Sequence, residues 1–173
     1  MITKVGINGF GRIGRQVMKT ITERHADTLQ VVAVNDLVDN ETSAHLLKYD
    51  SNYGRWQGEI RATEDGVEID NRLVKVFAER EPENIPWDSV GAEIVIESTG
   101  FFTDAHKAAA HKKNSVKKVV ISAPAKNEDI TIVLGVNDQL YKPQEHNVIS
   151  NASCTTNGLA PVVKVLVDNF GFI

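Results

Sequence analysis

The 173-residue sequence contains one cysteine, so no disulfide can form within the chain, and a free thiol of this kind suits a reducing compartment such as the cytoplasm. No apolar stretch is long enough to span a bilayer. The N-terminus has no basic segment leading into an apolar core and does not read as a signal peptide. Basic charge is not in excess either. The formal net charge is −4, which offers little to a nucleic acid or an anionic membrane surface. The one local basic run, His111 to Lys118, reads as a solvated helix end and loop. No internal repeat, low-complexity tract or flexible linker interrupts the chain. What remains is an ordinary globular composition, 42% hydrophobic and 24% charged, at a length that suits one domain or one domain with a fragment of another.

The chain opens on a strand-like run, Thr3 to Asn8, followed directly by Gly9-Phe10-Gly11-Arg12-Ile13-Gly14, a G-x-G-x-x-G pattern. A helical pattern follows, with Ile13, Val17, Met18 and Ile21 expected on one face. In such a turn Gly9 permits the tight bend, Gly11 lets a pyrophosphate approach the backbone, and Gly14 lets the helix pack on the strand. A second strand, Leu29 to Asn35, ends at Asp36, 22 residues past Gly14, where a dinucleotide site places an acid for ribose hydroxyls. Asp36 capping the next turn is the alternative. A carboxylate there repels the 2′-phosphate of NADP, and the next residue is Leu37 rather than an arginine, so the expected cofactor is NAD.

Further along, Thr42 to Tyr49 reads as a short helix whose apolar members are Ala44, Leu46 and Leu47, and Tyr49 to Trp56 as a polar connection. Gly58 to Ala62, Val67 to Ile69 and Leu73 to Phe77 are short alternating runs between turn residues, which suggests antiparallel hairpins inserted into the α/β pattern. Strands are then expected at Ala92 to Glu97, Val116 to Ile121, Ile130 to Leu134 and Asn147 to Ser150, with a helix capped by Thr103 or Asp104 running through Ala110. The fold class that follows is α/β: a Rossmann-type doubly wound, mostly parallel sheet with an inserted antiparallel hairpin region. The segments Gly9 to Gly14, Asp36, Ser98-Thr99-Gly100, Ser122 and Cys154 all follow expected strands, so they are expected to meet at one crevice outside the carboxyl ends of the sheet. For Ser98-Thr99-Gly100 and Ser122-Ala123-Pro124 taken alone, a plain turn serves equally well.

Cys154 lies in Asn151-Ala152-Ser153-Cys154-Thr155-Thr156-Asn157, after the strand at Val148 and before a helix-like run from Leu159 to Val167. A single cysteine is more often a buried structural thiol. Here small polar neighbours argue against full burial, and a helix N-terminus favours the thiolate.

The runs Gly9 to Arg15 and Ala152 to Asn157 closely resemble glyceraldehyde-3-phosphate dehydrogenase, the phosphorylating, NAD-dependent enzyme family of glycolysis. So do Asn35-Asp36-Leu37, His45 to Ser51, Glu97 to Phe102 and Ile121 to Ala125, which extends the resemblance over the whole chain, in order. The resemblance implies that Cys154 attacks the aldehyde of glyceraldehyde 3-phosphate, that hydride passes to NAD, and that phosphate releases an acyl phosphate from the resulting Cys154 thioester. It also implies a cofactor set of Asn8, Gly9, Gly11, Arg12, Ile13, Gly14, Asp36, Arg80, Ser98, Thr99, Gly100 and Ser122. Within it, Arg12 and Ile13 meet the pyrophosphate through backbone N–H groups, Asp36 meets the adenine ribose, Arg80 the adenine region and Ser122 the nicotinamide side. Ser153 and Thr155 flank the substrate and phosphate sites. Read from the sequence alone, Arg80 fits a solvated surface arginine equally well. The family is a tetramer, so a homo-oligomer is implied, with no nucleic-acid or membrane partner.

Two departures from the family stand out. The second cysteine that often follows the nucleophile by four residues is Gly158 here, and with Pro161 close behind an irregular or kinked helix start is expected. The family's general-base histidine lies downstream of the cysteine motif, past residue 173, and none of His25, His45, His106, His111 or His146 fits its position. His106 and His111 read as solvated. The expected organisation is a NAD-binding domain over 1–151 and the first helix of a catalytic domain over 152–173, a truncated unit inactive by itself. Erythrose-4-phosphate dehydrogenase shares the cysteine motif. Asp36 and Ser122-Ala123-Pro124 favour the glycolytic enzyme over it.

Overall fold

A computed structural model describes residues 2–171. β1 (Thr3–Asn8) leads through the glycine turn into α1 (Arg12–Arg24), then β2 (Leu29–Asn35) and α2 (Asn40–Lys48). β3 (Tyr49–Asp50) and β4 (Gly54–Arg55) form a small hairpin where a plain connection was expected; the Asp50 carboxylate nucleates it by accepting the N–H groups of Asn52 and Tyr53. The antiparallel strands follow as β5 (Ile60–Thr63), β6 (Gly66–Ile69) and β7 (Arg72–Phe77). β8 (Ile94–Glu97), α3 (Ala105–Ala108), β9 (Lys118–Ile121), β10 (Ile130–Thr131), β11 (Val148–Ser150) and α4 (Cys154–Phe170) complete the chain.

Among the described residues, nine strands make the main sheet in the order β10-β11-β9-β8-β1-β2-β7-β6-β5. Every pair from β10 to β7 is parallel, and β7-β6-β5 is antiparallel. β7 therefore joins the inserted hairpins to the sheet by pairing parallel with β2 on one side and antiparallel with β6 on the other. The result is the expected α/β sheet with its antiparallel insertion. Chain order runs outward from β1 toward β2 and β7 on one side and toward β8, β9 and β11 on the other. The order reverses between β1 and β8, the switch point at which open α/β sheets bind ligands.

Two apolar clusters hold the layers. One gathers Met18 and Ile21 of α1 and Ala44 and Leu47 of α2 against Val5, Ile7 and the antiparallel strands. The other gathers Trp87, Ala105 and Ala108 against Val95, Val119 and Ile121. Two of the apolar helix residues picked out in the sequence lie outside the core. Ile13 is 49% exposed because it sits in the first turn of α1, beside the crevice and ahead of the turns that contact the sheet, and Leu46 is 38% exposed because the inward stripe of α2 is Ser43, Ala44 and Leu47.

Several ends differ from expectation. The strand at Ile130 stops at Thr131 because the Asn137 side chain replaces the ladder, accepting from Val133 N at 2.8 Å and donating to Thr131 O at 2.9 Å. Asp104, not Thr103, caps α3 by accepting His106 N. His106 is exposed, but His111 is not solvated as expected. The 3-10 turn Ala109–His111 brings its ring inward to 1% exposure beside Trp87. α4 starts five residues earlier than Leu159 and its first turn is regular. Ser153 caps it by accepting Thr156 N at 2.9 Å, and the helix continues unbroken through Gly158 and Pro161.

Candidate functional site

Parallel pairing brings the carboxyl ends of six strands to one edge. Read across the sheet, these ends carry Cys154 after β11, Ser122 after β9, Ser98 to Gly100 after β8, the glycine turn after β1, Asp36 after β2 and Arg80 after β7. A crevice of about 620 Å³ opens at the switch point, lined by Asn8, Gly9, Gly11, Asp36, Arg80, Ser98 and Thr99 among the expected residues. Arg12, Ile13, Gly14, Gly100 and Ser122 stand next to it in sequence or across the sheet but do not line it. Sequence reading missed Asn35, Leu37, Glu79, Glu81, Phe101, Phe102 and Lys107 in the lining. The strand-end rule applied to β7 and β8 points to Glu79 and to the Phe101-Phe102 pair, and Phe101 is 85% exposed.

The glycine turn is built by close contacts. Gly9 has φ +89°, a left-handed conformation, and a Cβ there would fall 2.7 Å from Thr99 N. A Cβ at Gly14 would fall 2.1 Å from Gly9 O, so only glycine lets α1 approach the turn. Gly11 differs, since a Cβ on it would meet no atom within 4 Å. It is the N-cap of α1 and no side chain caps that helix. An uncapped helix end beneath open space is what a pyrophosphate requires, so the residues fit the phosphates of a dinucleotide.

Asp36 Oδ2 accepts Phe10 N at 2.6 Å, which ties β2 to the glycine turn and keeps the carboxylate on the crevice wall with further lone pairs for hydroxyl donors. The polar side-chain atoms of Asn8 and Ser98 are engaged within the protein instead. Ser98 Oγ contacts Asn8 O at 3.0 Å and Gly9 O at 2.7 Å, and Asn8 is 2% exposed. At the start of α1, burial and the neighbouring Arg12 guanidinium pull the Arg15 pKa down, while the Asp50 and Asp36 carboxylates pull it up. Arg15 stays charged, because a guanidinium does not lose its proton in proteins. It donates to Phe10 O at 2.8 Å and so braces the turn. Beside it the Asn52 and Tyr53 N–H groups hold the Asp50 carboxyl below the usual carboxylate range, and Asp50 Oδ2 lies 3.7 Å from the nearly buried Lys19 ammonium.

Cys154 is the first residue of α4 and is exposed. The turn before it is wired tightly. Ser150 Oγ donates to Ala123 O and accepts Ala152 N, and Asn157 Nδ2 donates to Asn151 O and Ser153 O. Ala152 is buried at φ 56°, a left-handed conformation that costs a β-branched residue most. Ala152→Val is therefore expected to cost about 2 kcal/mol in urea unfolding, while Ala152→Gly stays within about 1 kcal/mol of the parent. Equal losses for the two variants would remove the strain argument.

Among the described residues no cluster of three His, Cys, Asp or Glu side chains is placed to hold a metal ion, and no helix is long and apolar enough to cross a membrane.

Residues 3–105 match the family model described as glyceraldehyde 3-phosphate dehydrogenase, NAD binding domain. The chain is 56% identical over 173 residues to a glyceraldehyde-3-phosphate dehydrogenase of Streptomyces coelicolor, covering all of this chain and 51% of that protein. It is 54% identical over 173 residues to the enzyme of that name from Geobacillus stearothermophilus, with the same coverage. It is 51% identical to that of Thermotoga maritima over 172 residues, 99% of this chain and 51% of the relative. The chain thus spans about half the length of the curated relatives it matches. It belongs to the glyceraldehyde-3-phosphate dehydrogenase family and carries that family's NAD-binding domain.

Proposed function

We propose that this chain is the cofactor half, with the attacking thiol, of an enzyme that oxidises glyceraldehyde 3-phosphate and phosphorylates the product. The observation that carries this reading is the exposed Cys154 at the start of α4, on the same strand-end edge as the dinucleotide crevice. Cys154 Sγ adds to the aldehyde carbon, forming a C–S bond and a hydroxyl. A bound NAD would supply the hydride acceptor for that carbon; with the hydroxyl proton passing to solvent or a base outside these residues, Cys154 would carry the acyl group as a thioester. Attack by inorganic phosphate breaks the C–S bond, frees the acyl phosphate and restores the thiolate. The Cys154 N–H at the helix start would stabilise the oxyanion, with Ser153 and Thr155 flanking the substrate. Arg12 and Ile13 hold the pyrophosphate through their N–H groups. Asp36 and Arg80 take the adenosine side, and Thr99 and Ser122 the nicotinamide side. Turnover needs more than these residues supply, so the 173-residue chain is expected to bind NAD without reducing it.

The domain division falls at residue 151. β11 ends at Ser150 inside the sheet, whereas α4 buries none of its residues and exposes Leu159, Val162, Val165, Leu166 and Phe170. Such an apolar helix calls for cover from further protein, in keeping with relatives of twice the length and with a homo-oligomeric, tetrameric assembly. Isothermal titration of this chain is expected to show NAD binding at least about tenfold tighter than NADP, because Asp36 repels a 2′-phosphate. Equal affinity would remove the role given to Asp36. In a form of full relative length, glyceraldehyde 3-phosphate is expected to be the better substrate, and faster turnover of erythrose 4-phosphate would reassign the enzyme.

A further inference from the structure

The last residues of three adjacent strands form a buried polar row. Asn35 of β2 pairs with Asn8 of β1, and Asn8 pairs with Glu97 of β8, at 4%, 2% and 2% exposure. We propose that this row, continued by His111 and Trp87, is a hydrogen-bond chain that converges from both ends on the Glu97 carboxylate and sets the floor of the crevice, and that Glu97 is a positioning residue for cofactor binding. The proposal rests on the reading of that crevice as the NAD site.

Each end of the chain fixes the direction of the bonds that lead from it to Glu97. At one end, the Glu79 N–H donates to Asn35 Oδ1 at 2.9 Å and Asn35 Nδ2 donates to Glu79 O at 2.8 Å, so the Asn35 amide has only one orientation. The same Nδ2 donates to Asn8 Oδ1 at 2.8 Å, which orients Asn8 and turns its Nδ2 onto Glu97 Oε2 at 2.6 Å. At the other end, the Trp87 indole is a donor only and lies 3.1 Å from His111 Nδ1. His111 Nδ1 must accept, so the ring proton sits on Nε2 and points at Glu97 Oε2, 3.0 Å away. Asn8 Nδ2 and His111 Nε2 lie 3.4 Å apart as two donors converging on one oxygen. Glu97 Oε1 accepts Thr99 N at 2.8 Å and Thr99 Oγ1 at 2.6 Å, and that hydroxyl in turn accepts Phe101 N at 3.1 Å.

Glu97 thus receives four donors and donates to none, which only a carboxylate does. An amide at this position would set its N–H₂ against either the two Thr99 donors or the Asn8 and His111 donors. Neither end of the chain can reverse to accommodate it, and an unmatched buried donor is costly. The consequence reaches the cofactor, because Asn8, Asn35, Glu79, Thr99 and Phe101 all line the crevice. Gly6 belongs to the same device. A Cβ there would fall 2.6 Å from the Trp87 ring, so its absence lets the indole lie against β1 and reach His111.

The test compares Glu97→Gln with the unsubstituted chain by titration at a temperature where circular dichroism shows both folded. NAD affinity is expected to fall about tenfold or more. Should the variant not fold, nuclear magnetic resonance of the unsubstituted chain decides. His111 is expected as the Nε2–H tautomer, and the buried Trp87 indole N–H signal is expected to shift on NAD saturation, which a purely structural bond would not do. NAD affinity unchanged in the folded variant, the other tautomer, or an indole signal indifferent to NAD would overturn the positioning role alone. No NAD binding by the unsubstituted chain would overturn the cofactor reading and the positioning role with it.

Discussion

Cys154→Ser, in a protein spanning the full length of the relatives, is expected to lower turnover of glyceraldehyde 3-phosphate by at least about 10⁴-fold, because removing a covalent nucleophile removes the path and not one contact on it. A serine hydroxyl at the same helix start holds its proton far more tightly than a thiol and attacks the aldehyde poorly. NAD affinity should not change, because Cys154 follows β11 whereas the crevice opens between β1 and β8, two strands away across β9. Steady-state rates together with NAD titration check both halves of this expectation. Substantial turnover by the serine variant, or a parallel loss of NAD binding, would remove Cys154 from the role of nucleophile.

Gly14→Ala is expected to be the most damaging single-methyl change in the glycine turn. The added carbon would lie 2.1 Å from the carbonyl oxygen of Gly9 and 3.0 Å from the Ile7 side chain. The first neighbour is backbone, inside a turn that Asp36, Arg15 and Ser98 hold from three sides, so it cannot swing away as a flexible side chain would. α1 has to lift from β1. A loss of about 3 kcal/mol in urea unfolding follows from overpacking of this kind, and NAD binding should vanish because the uncapped helix end moves out of register with the crevice. Gly11→Ala is the control. Its added carbon meets nothing in the protein, so stability should change little while NAD affinity falls, since the space it fills is the space a pyrophosphate would use. Equal stability losses at the two positions would contradict this division of labour between the glycines.

The difference between these two glycines shows how far the sequence could be read. The spacing of Gly9, Gly11 and Gly14 between a strand and a helical pattern identified the turn, because that chemistry is local: a strand end, a tight bend and a helix start lie within a dozen residues. The acid at Asp36 was legible for the same reason, as the end of the next strand. Which atoms the glycines make room for was not legible, since those atoms belong to β8 and its loop. His111 shows the limit most clearly. Beside lysines and alanines it has the pattern of a solvated residue, yet a 3-10 turn rotates it into contact with Trp87 and Glu97. Glu97 itself stood in the sequence as an ordinary strand end. Its burial and its four donors depend on parallel pairing that sets Asn35, Asn8 and Glu97 side by side. Asn137 ending β10, and Ser153 starting α4 ahead of its apolar run, were missed because single side-chain hydrogen bonds to the backbone leave no periodic trace.

By itself the sequence determined the α/β class, the glycine turn between a strand and a helix, the acid at the end of the next strand, and a thiol placed at a helix start. Each follows from residue pattern over a few neighbours, where steric allowance and hydrogen-bonding capacity are properties of the residue. Only the tertiary structure decided that the strand ends share one edge, that the crevice opens where strand order reverses between β1 and β8, and that its floor is a directed polar chain. Those depend on which strands become neighbours. That choice is made by burial of the two apolar clusters, summed over contacts between residues far apart in the chain.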